Sequence, residues 1–246
     1  MNFPHDPPAM TDLLQRGDIW KGADQVASQQ SQGLDTGFAD LNRLLAQGGW
    51  PQRQLIELNN PLATQAEWWL MQHALLKTDG LLVLVNPPAT PLAQAMIQSG
   101  FDLDKLLIVE SLNRADFLAS FIELTRSLDC GAVMGWQGNF SLTYTDLRKC
   151  LLACQQGHGL YLLCRPLQYR SQSSPASLRI SLQLTAENLL VDIYKQKGQL
   201  KMQSQPVALN LPAKWKFILP HSQLDQAGQP PRKRASVIRF PLQSTR

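Results

Sequence analysis

The stretch LLIVESLNRADFLASFIELTRSLDCGAVMGW, residues 106–136, decides the fold class. Leu106 to Val109 and Ala132 to Trp136 are unbroken apolar runs of strand length. Between them Phe117, Leu118, Phe121, Ile122, Leu124 and Leu128 recur at spacings of three and four, which lays an apolar stripe along a helix over Arg114 to Leu128. Strand, helix and strand in that order form a β-α-β unit. Its right-handed crossover sets the helix on the sheet, and strands covered on both faces need no polar alternation. The same pattern extends both ways. Apolar runs at Gln54 to Leu58, Leu81 to Val85 and Leu160 to Cys164 alternate with helix-length segments at Gln65 to Leu76, Pro91 to Ser99 and Tyr144 to Gln155. The chain therefore reads as α/β, with a mostly parallel central sheet flanked by helices.

Around this core the patterns change. Gly37-Phe38 opens a helical pattern through Leu41, Leu44 and Leu45 that stops at Gly48-Gly49. Beyond Arg165-Pro166, Leu178 to Leu184 and Leu189 to Lys195 alternate apolar with polar around Ala186-Glu187-Asn188, which predicts a C-terminal antiparallel hairpin with one solvated face at the sheet edge. The predicted organisation is an N-terminal arm (1–35), a core (36–211) and a basic, flexible tail (212–246).

The chain has 246 residues, 44% hydrophobic and 17% charged, which excludes a wholly disordered chain, a coiled coil and a disulfide scaffold. It contains no apolar run near the roughly 20 residues a membrane helix needs, and its first residues lack a secretory signature, so a cytoplasmic location is expected. Residues 1–150 carry ten Lys and Arg against sixteen Asp and Glu, whereas 151–246 carry thirteen against three. So basic an end suits nucleic acid, an acidic protein or a merely solvated tail. Cys130, Cys150, Cys154 and Cys164 form no C-x-x-C pair and read as buried free thiols of a reducing compartment. With His158 alone nearby, a zinc site is short of ligands, and no metal is expected.

In a doubly wound sheet the ligand crevice lies beyond the carboxyl ends of the strands. Here the first such turn reads Asn59-Asn60-Pro61-Leu62-Ala63-Thr64-Gln65-Ala66-Glu67. A phosphate loop of the G-x-x-x-x-G-K-[ST] type needs glycines to aim backbone N–H groups, a lysine for the outer phosphates and a hydroxyl for magnesium. The required pattern is missing.

Several short motifs nevertheless resemble a RecA-type core: Thr36-Gly37-Phe38 with Leu41, Gly48-Gly49-Trp50-Pro51, Leu55-Ile56-Glu57-Leu58, and Ser99 to Leu107. Arg16 to Gly22, Cys130-Gly131-Ala132-Val133 before Trp136, Leu163-Cys164-Arg165-Pro166 and Ser174 to Arg179 are similar to the ImuA family of RecA-like proteins, over about residues 14–200. Laid on the RecA pattern, the phosphate-loop glycines fall on Asn60 and Gln65, the lysine on Ala66, the hydroxyl residue on Glu67 and the magnesium-linked aspartate on Gly135. The water-activating acid falls near Asn86-Pro87-Pro88. The resemblance thus implies a pseudo-ATPase: no catalytic residues, no cofactor, and a Glu67 that would repel a triphosphate. One of Trp68 and Trp69 is expected to pack on the sheet, and their bulk to fill the vacated crevice.

It further implies a nucleoid-associated accessory protein of SOS-induced, mutagenic translesion synthesis after DNA damage. Its partners would be an ImuB-like inactive Y-family polymerase homologue, an error-prone C-family polymerase and RecA. The alternative is a division inhibitor of the SulA type, with a similarly degenerate core, acting on the tubulin-like division GTPase. Expected partner contacts are Lys214, Trp215, Lys216, Arg232, Lys233, Arg234, Ile238, Arg239 and Phe240, where charge interleaves with apolar anchors. Ile19 and Trp20 are candidates for a subunit or partner contact, or for the chain's own core. Arg165, Arg170 and Arg179 fall in a segment that reads either as a mobile surface crossover or as a weak single-stranded DNA contact.

Overall fold

Strands form where the sequence is continuously apolar, and helices where it is striped. The computed structural model describes residues 32–61, 66–185, 187–197 and 206–211. Its elements run α1 (Ala39–Leu44), β1 (Leu55–Asn60), α2 (Ala66–Leu75), β2 (Leu81–Val85), α3 (Ala93–Gln98), β3 (Leu106–Val109), α4 (Arg114–Arg126), β4 (Cys130–Trp136), α5 (Tyr144–Gln156), β5 (Leu160–Pro166), β6 (Leu178–Leu184), β7 (Asn188–Gln196) and β8 (Val207–Asn210). All eight strands belong to one sheet, in the order β3-β2-β4-β5-β1-β6-β7-β8. The α/β class and the mostly parallel sheet are as the sequence predicts.

The pairings β3/β2, β2/β4, β4/β5, β5/β1 and β1/β6 are parallel, and only β6/β7 and β7/β8 are antiparallel. The antiparallel hairpin is appended at one edge of the sheet, as the sequence predicts, with β6 parallel beside β1 and Arg179 opposite Glu57. The solvated face expected of it is not found on β6, whose polar positions Arg179 and Ser181 are buried. The alternation in Leu178 to Leu184 marks a buried polar face, because a charged partner waits on the neighbouring strand.

Two apolar layers sandwich the sheet. Leu41 of α1, Leu70 and Met71 of α2 and Met96 of α3 pack on Ile56, Leu58, Leu84 and Met134. Phe117 and Phe121 of α4 and Leu147 and Cys150 of α5 pack on Leu55, Val83, Val133 and Leu163 of the other face. Helix starts follow the capping chemistry. Asn113 accepts the Asp116 N–H at 3.0 Å, Thr143 and Asp146 form a reciprocal box, and the Arg114 guanidinium reaches Asp146 at 2.6 Å, tying the two helix starts together. Before β1, Leu34 bridges to Trp50, and Asp35 accepts from Lys77 (2.8 Å) and pairs with His73 (2.9 Å) of α2.

Helix α4 comes so close to β4 that one position must lack a side chain. A Cβ on Gly135 would stand 2.8 Å from a Phe121 ring carbon and 3.2 Å from Phe117. Gly135→Ala is therefore expected to cost about 1–3 kcal/mol by overpacking, read as a lower denaturation midpoint at unchanged m-value; an unshifted midpoint would show that α4 can recede.

Candidate functional site

At the carboxyl ends of β1 and β4, on the face covered by α2, three side chains converge. Glu67 sits in the first turn of α2 and is 2% exposed. Its Oε1 accepts the Trp136 indole N–H at 2.9 Å, and its Oε2 accepts from the Asn60 amide at 2.5 Å. Burial pushes the Glu67 carboxyl above its ordinary value of 4.5, while the bonds from Trp136, its own backbone and Asn60 pull the other way. A helix start collects unpaired N–H groups and positive partial charge, which is where phosphates bind. Here the chain places its own carboxyl in that turn.

The degenerate loop positions separate into two groups. Asn60 and Glu67 meet, and Ala66 is buried beside them; Gln65 lies outside the described residues. Gly135, assigned by sequence to the same constellation, faces the other way, towards Phe117 and Phe121. Its neighbour Trp136 is the β4 residue that turns to Glu67, because successive side chains alternate across a strand. Asn86 is likewise engaged elsewhere: it accepts the Ser111 N–H at 2.6 Å and donates to the Ser111 carbonyl at 3.1 Å, joining the loops after β2 and β3.

Trp68 and Trp69 pack against Phe101 and Phe38, with ring centroids 5.3 and 5.1 Å apart. Trp68 lines the space between α2 and α3 without closing it. A cavity of about 430 Å³ remains beside Glu67, bounded by Trp68, Pro87, Pro88, Met96 and Trp136 among others.

The opposite face of the same strand ends holds a second polar cluster. Glu57, fully buried in the middle of β1, accepts from Arg165 of β5 at 3.1 Å and from Arg179 of β6 at 2.8 Å, both on Oε1. Arg165 also donates to Gln137 (2.8 Å) and Gln172 (2.5 Å), and lies 4.7 Å from the centre of the Tyr169 ring. Arg170 and Arg179 both stack on Tyr194 at 4.9 Å, and Arg170 pairs with Asp192 at 2.5 Å. The Tyr194 hydroxyl donates to Asn59, and burial raises its pKa.

Of the three arginines read as DNA contacts, Arg165 and Arg179 are thus turned inward, and Arg170 alone keeps a side chain 44% exposed. The segment between them is packed rather than loose: Ser174, Ala176 and Ser177 are buried, and Gln172 donates to the Leu142 carbonyl at 3.1 Å. The sequence did carry a signal for this cluster. One charge stands inside each of the apolar strands LIEL, YLLCRP and LRISL, and buried charges require partners. The partner residues Lys214, Trp215, Lys216, Arg232, Lys233, Arg234, Ile238, Arg239 and Phe240, and the arm residues Ile19 and Trp20, lie outside the described residues.

The four cysteines are free and buried. Burial raises all their thiol pKa values, Cys150 to about 12. None has the thiolate character of a nucleophile.

Glu57 and Glu67 each generate a stability prediction. Glu57→Gln leaves two buried guanidiniums facing an amide and is expected to cost about 3–5 kcal/mol in chemical denaturation. Glu67 behaves oppositely. Its folded pKa lies above the unfolded one, so its ionisation opposes folding as pH rises from about 4.5 through the folded value. Glu67→Gln keeps an acceptor for Trp136 and is expected to melt at or above the parent temperature at pH 8, with that advantage shrinking at pH 5; a fixed deficit at both values would refute the assignment.

No protein-family model matches the chain, and a search of curated proteins finds no match.

Proposed function

We propose that this chain is a non-catalytic RecA-like accessory protein of SOS-induced mutagenic translesion synthesis, of the kind the ImuA-like motifs imply. It would bridge an ImuB-like Y-family polymerase homologue and an error-prone C-family polymerase, with RecA as a further contact. The carrying observation is Glu67. Phosphoryl transfer is run by cations and N–H groups that neutralise the transferred phosphate, whereas a buried carboxyl here takes the donors of Asn60 and Trp136. The strand order, in which β1 lies between β5 and β6, supports the reading by placing that carboxyl at an interior strand end, where doubly wound sheets hold ligands. What remains for such a scaffold is contact with other macromolecules, and the basic C-terminal third offers both steering charge and apolar anchors.

The division-inhibitor alternative draws on the same core, since Trp136 ends β4 and Arg165-Pro166 ends β5. One experiment separates them. Co-purification with the Y-family-like protein of the same genome is expected for the full chain and lost on truncation at Pro212. If neither form binds it and both bind the division GTPase, the alternative stands. The purified chain is also expected to show no ATP turnover with or without single-stranded DNA; turnover abolished by Glu67→Ala would overturn the pseudo-ATPase reading.

A further inference from the structure

The cavity beside Glu67 has an unusual charge balance for a crevice at a parallel-sheet switch point. Its volume of about 430 Å³ falls in the range of roughly 300–1,000 Å³ typical of small-molecule sites. Its walls are apolar and aromatic: Trp68 of α2, Trp136 of β4, Pro87 and Pro88 after β2, and Met96 of α3. Gln72, Thr90 and Ser99 add neutral polar groups, and among the described residues Glu67 is the single ionisable side chain in the lining.

We propose that this cavity binds a small organic cation, an amidinium, guanidinium or primary ammonium group on an apolar body, with Glu67 as its counter-charge. The donors that hold Glu67, the Asn60 amide, the Trp136 indole and its own backbone N–H, are all neutral. They orient the carboxyl and occupy most of its roughly four acceptor directions without bringing a countercharge. A cation entering the cavity meets a carboxylate that water reaches poorly, where Coulomb attraction is several-fold stronger than in bulk solvent. Trp68 and Trp136 line the cavity, and aromatic rings attract positive charge, while the proline and methionine walls cover an apolar body. Anions fare worst, because among the described residues no lysine, arginine or histidine lines the site to offset repulsion by Glu67. This inference goes beyond the accessory role and stands or falls separately from it.

The test compares benzamidine with benzamide, its neutral isostere, on the full chain at pH 8 by calorimetry and tryptophan fluorescence. Benzamidine is expected to bind at least tenfold more tightly than benzamide, to be undisplaced by inorganic phosphate, and to lose that preference in Glu67→Gln. A second variant, Ala95→Phe, places a ring on the exposed wall of α3; it is expected to abolish binding without lowering the melting temperature. Equal binding of the two compounds, no binding of benzamidine at millimolar concentration, displacement by phosphate, or a preference that survives Glu67→Gln would each overturn the proposal. Because polymerase co-purification is a separate readout, failure here leaves the adaptor test intact.

Discussion

A carboxylate in the middle of the central sheet constrains everything C-terminal to β5. Glu57 lies on an interior strand with no water to solvate it, so its charge must be met by side chains. Both neighbouring strands supply one, Arg165 from β5 and Arg179 from β6. Replacing such a cluster by well-packed apolar residues often stabilises a protein, so its presence is weak evidence for stability as such. It does discriminate between registers. Sliding β6 by one residue against β1 would turn Arg179 to the opposite face and leave Glu57 short of a cation, whereas apolar strands alone tolerate such slips more readily. The order β5-β1-β6 and the direction of the terminal hairpin thus follow from where three charges can meet.

Once β6 is fixed, the rest of the C-terminal sheet is determined by the same network. Tyr194 of β7 reaches Asn59 of β1 across the intervening strand and carries Arg170 and Arg179 on its ring. Lys195 donates to the Ser174 carbonyl at 2.6 Å, pinning the crossover before β6. Burial and the nearby Arg179 lower the pKa of that lysine, as expected where cations outnumber acids. A segment rich in serine and glutamine is held in place by the two strands it joins.

β1 to β7 were legible to within two residues because their apolar or alternating runs are clear, and β2 and β3 match the sequence reading at both ends; β8, four residues with no comparable run, was not read from the sequence. Misreadings occurred where polar residues are buried. β1 and β5 continue through Asn60 and Pro166, past their apolar runs, because Asn59, Asn60 and Arg165 find partners inside. A hydrophobic pattern cannot register such residues, since it counts polarity and not partners. The crevice was legible as a location, and its missing lysine and glycines were plain. Which side chain of Gly135-Trp136 faces the crevice was not, because alternation fixes faces only once one residue of the strand has been placed; contact with Phe121 supplies that anchor.

Two of the buried acids, Glu57 and Glu67, lie on opposite faces of the sheet, and their surroundings give them opposite characters. Glu57 is met by two cations and is thereby committed to structure. Glu67 is met only by neutral donors and opens on a cavity. Glu67 occupies the first turn of α2, and Trp68, packed on Phe101, forms one wall of the cavity, while Trp69 packs on Phe38. The cavity beside Glu67 is lined by a carboxylate and two tryptophans, so what enters it is selected by that chemistry.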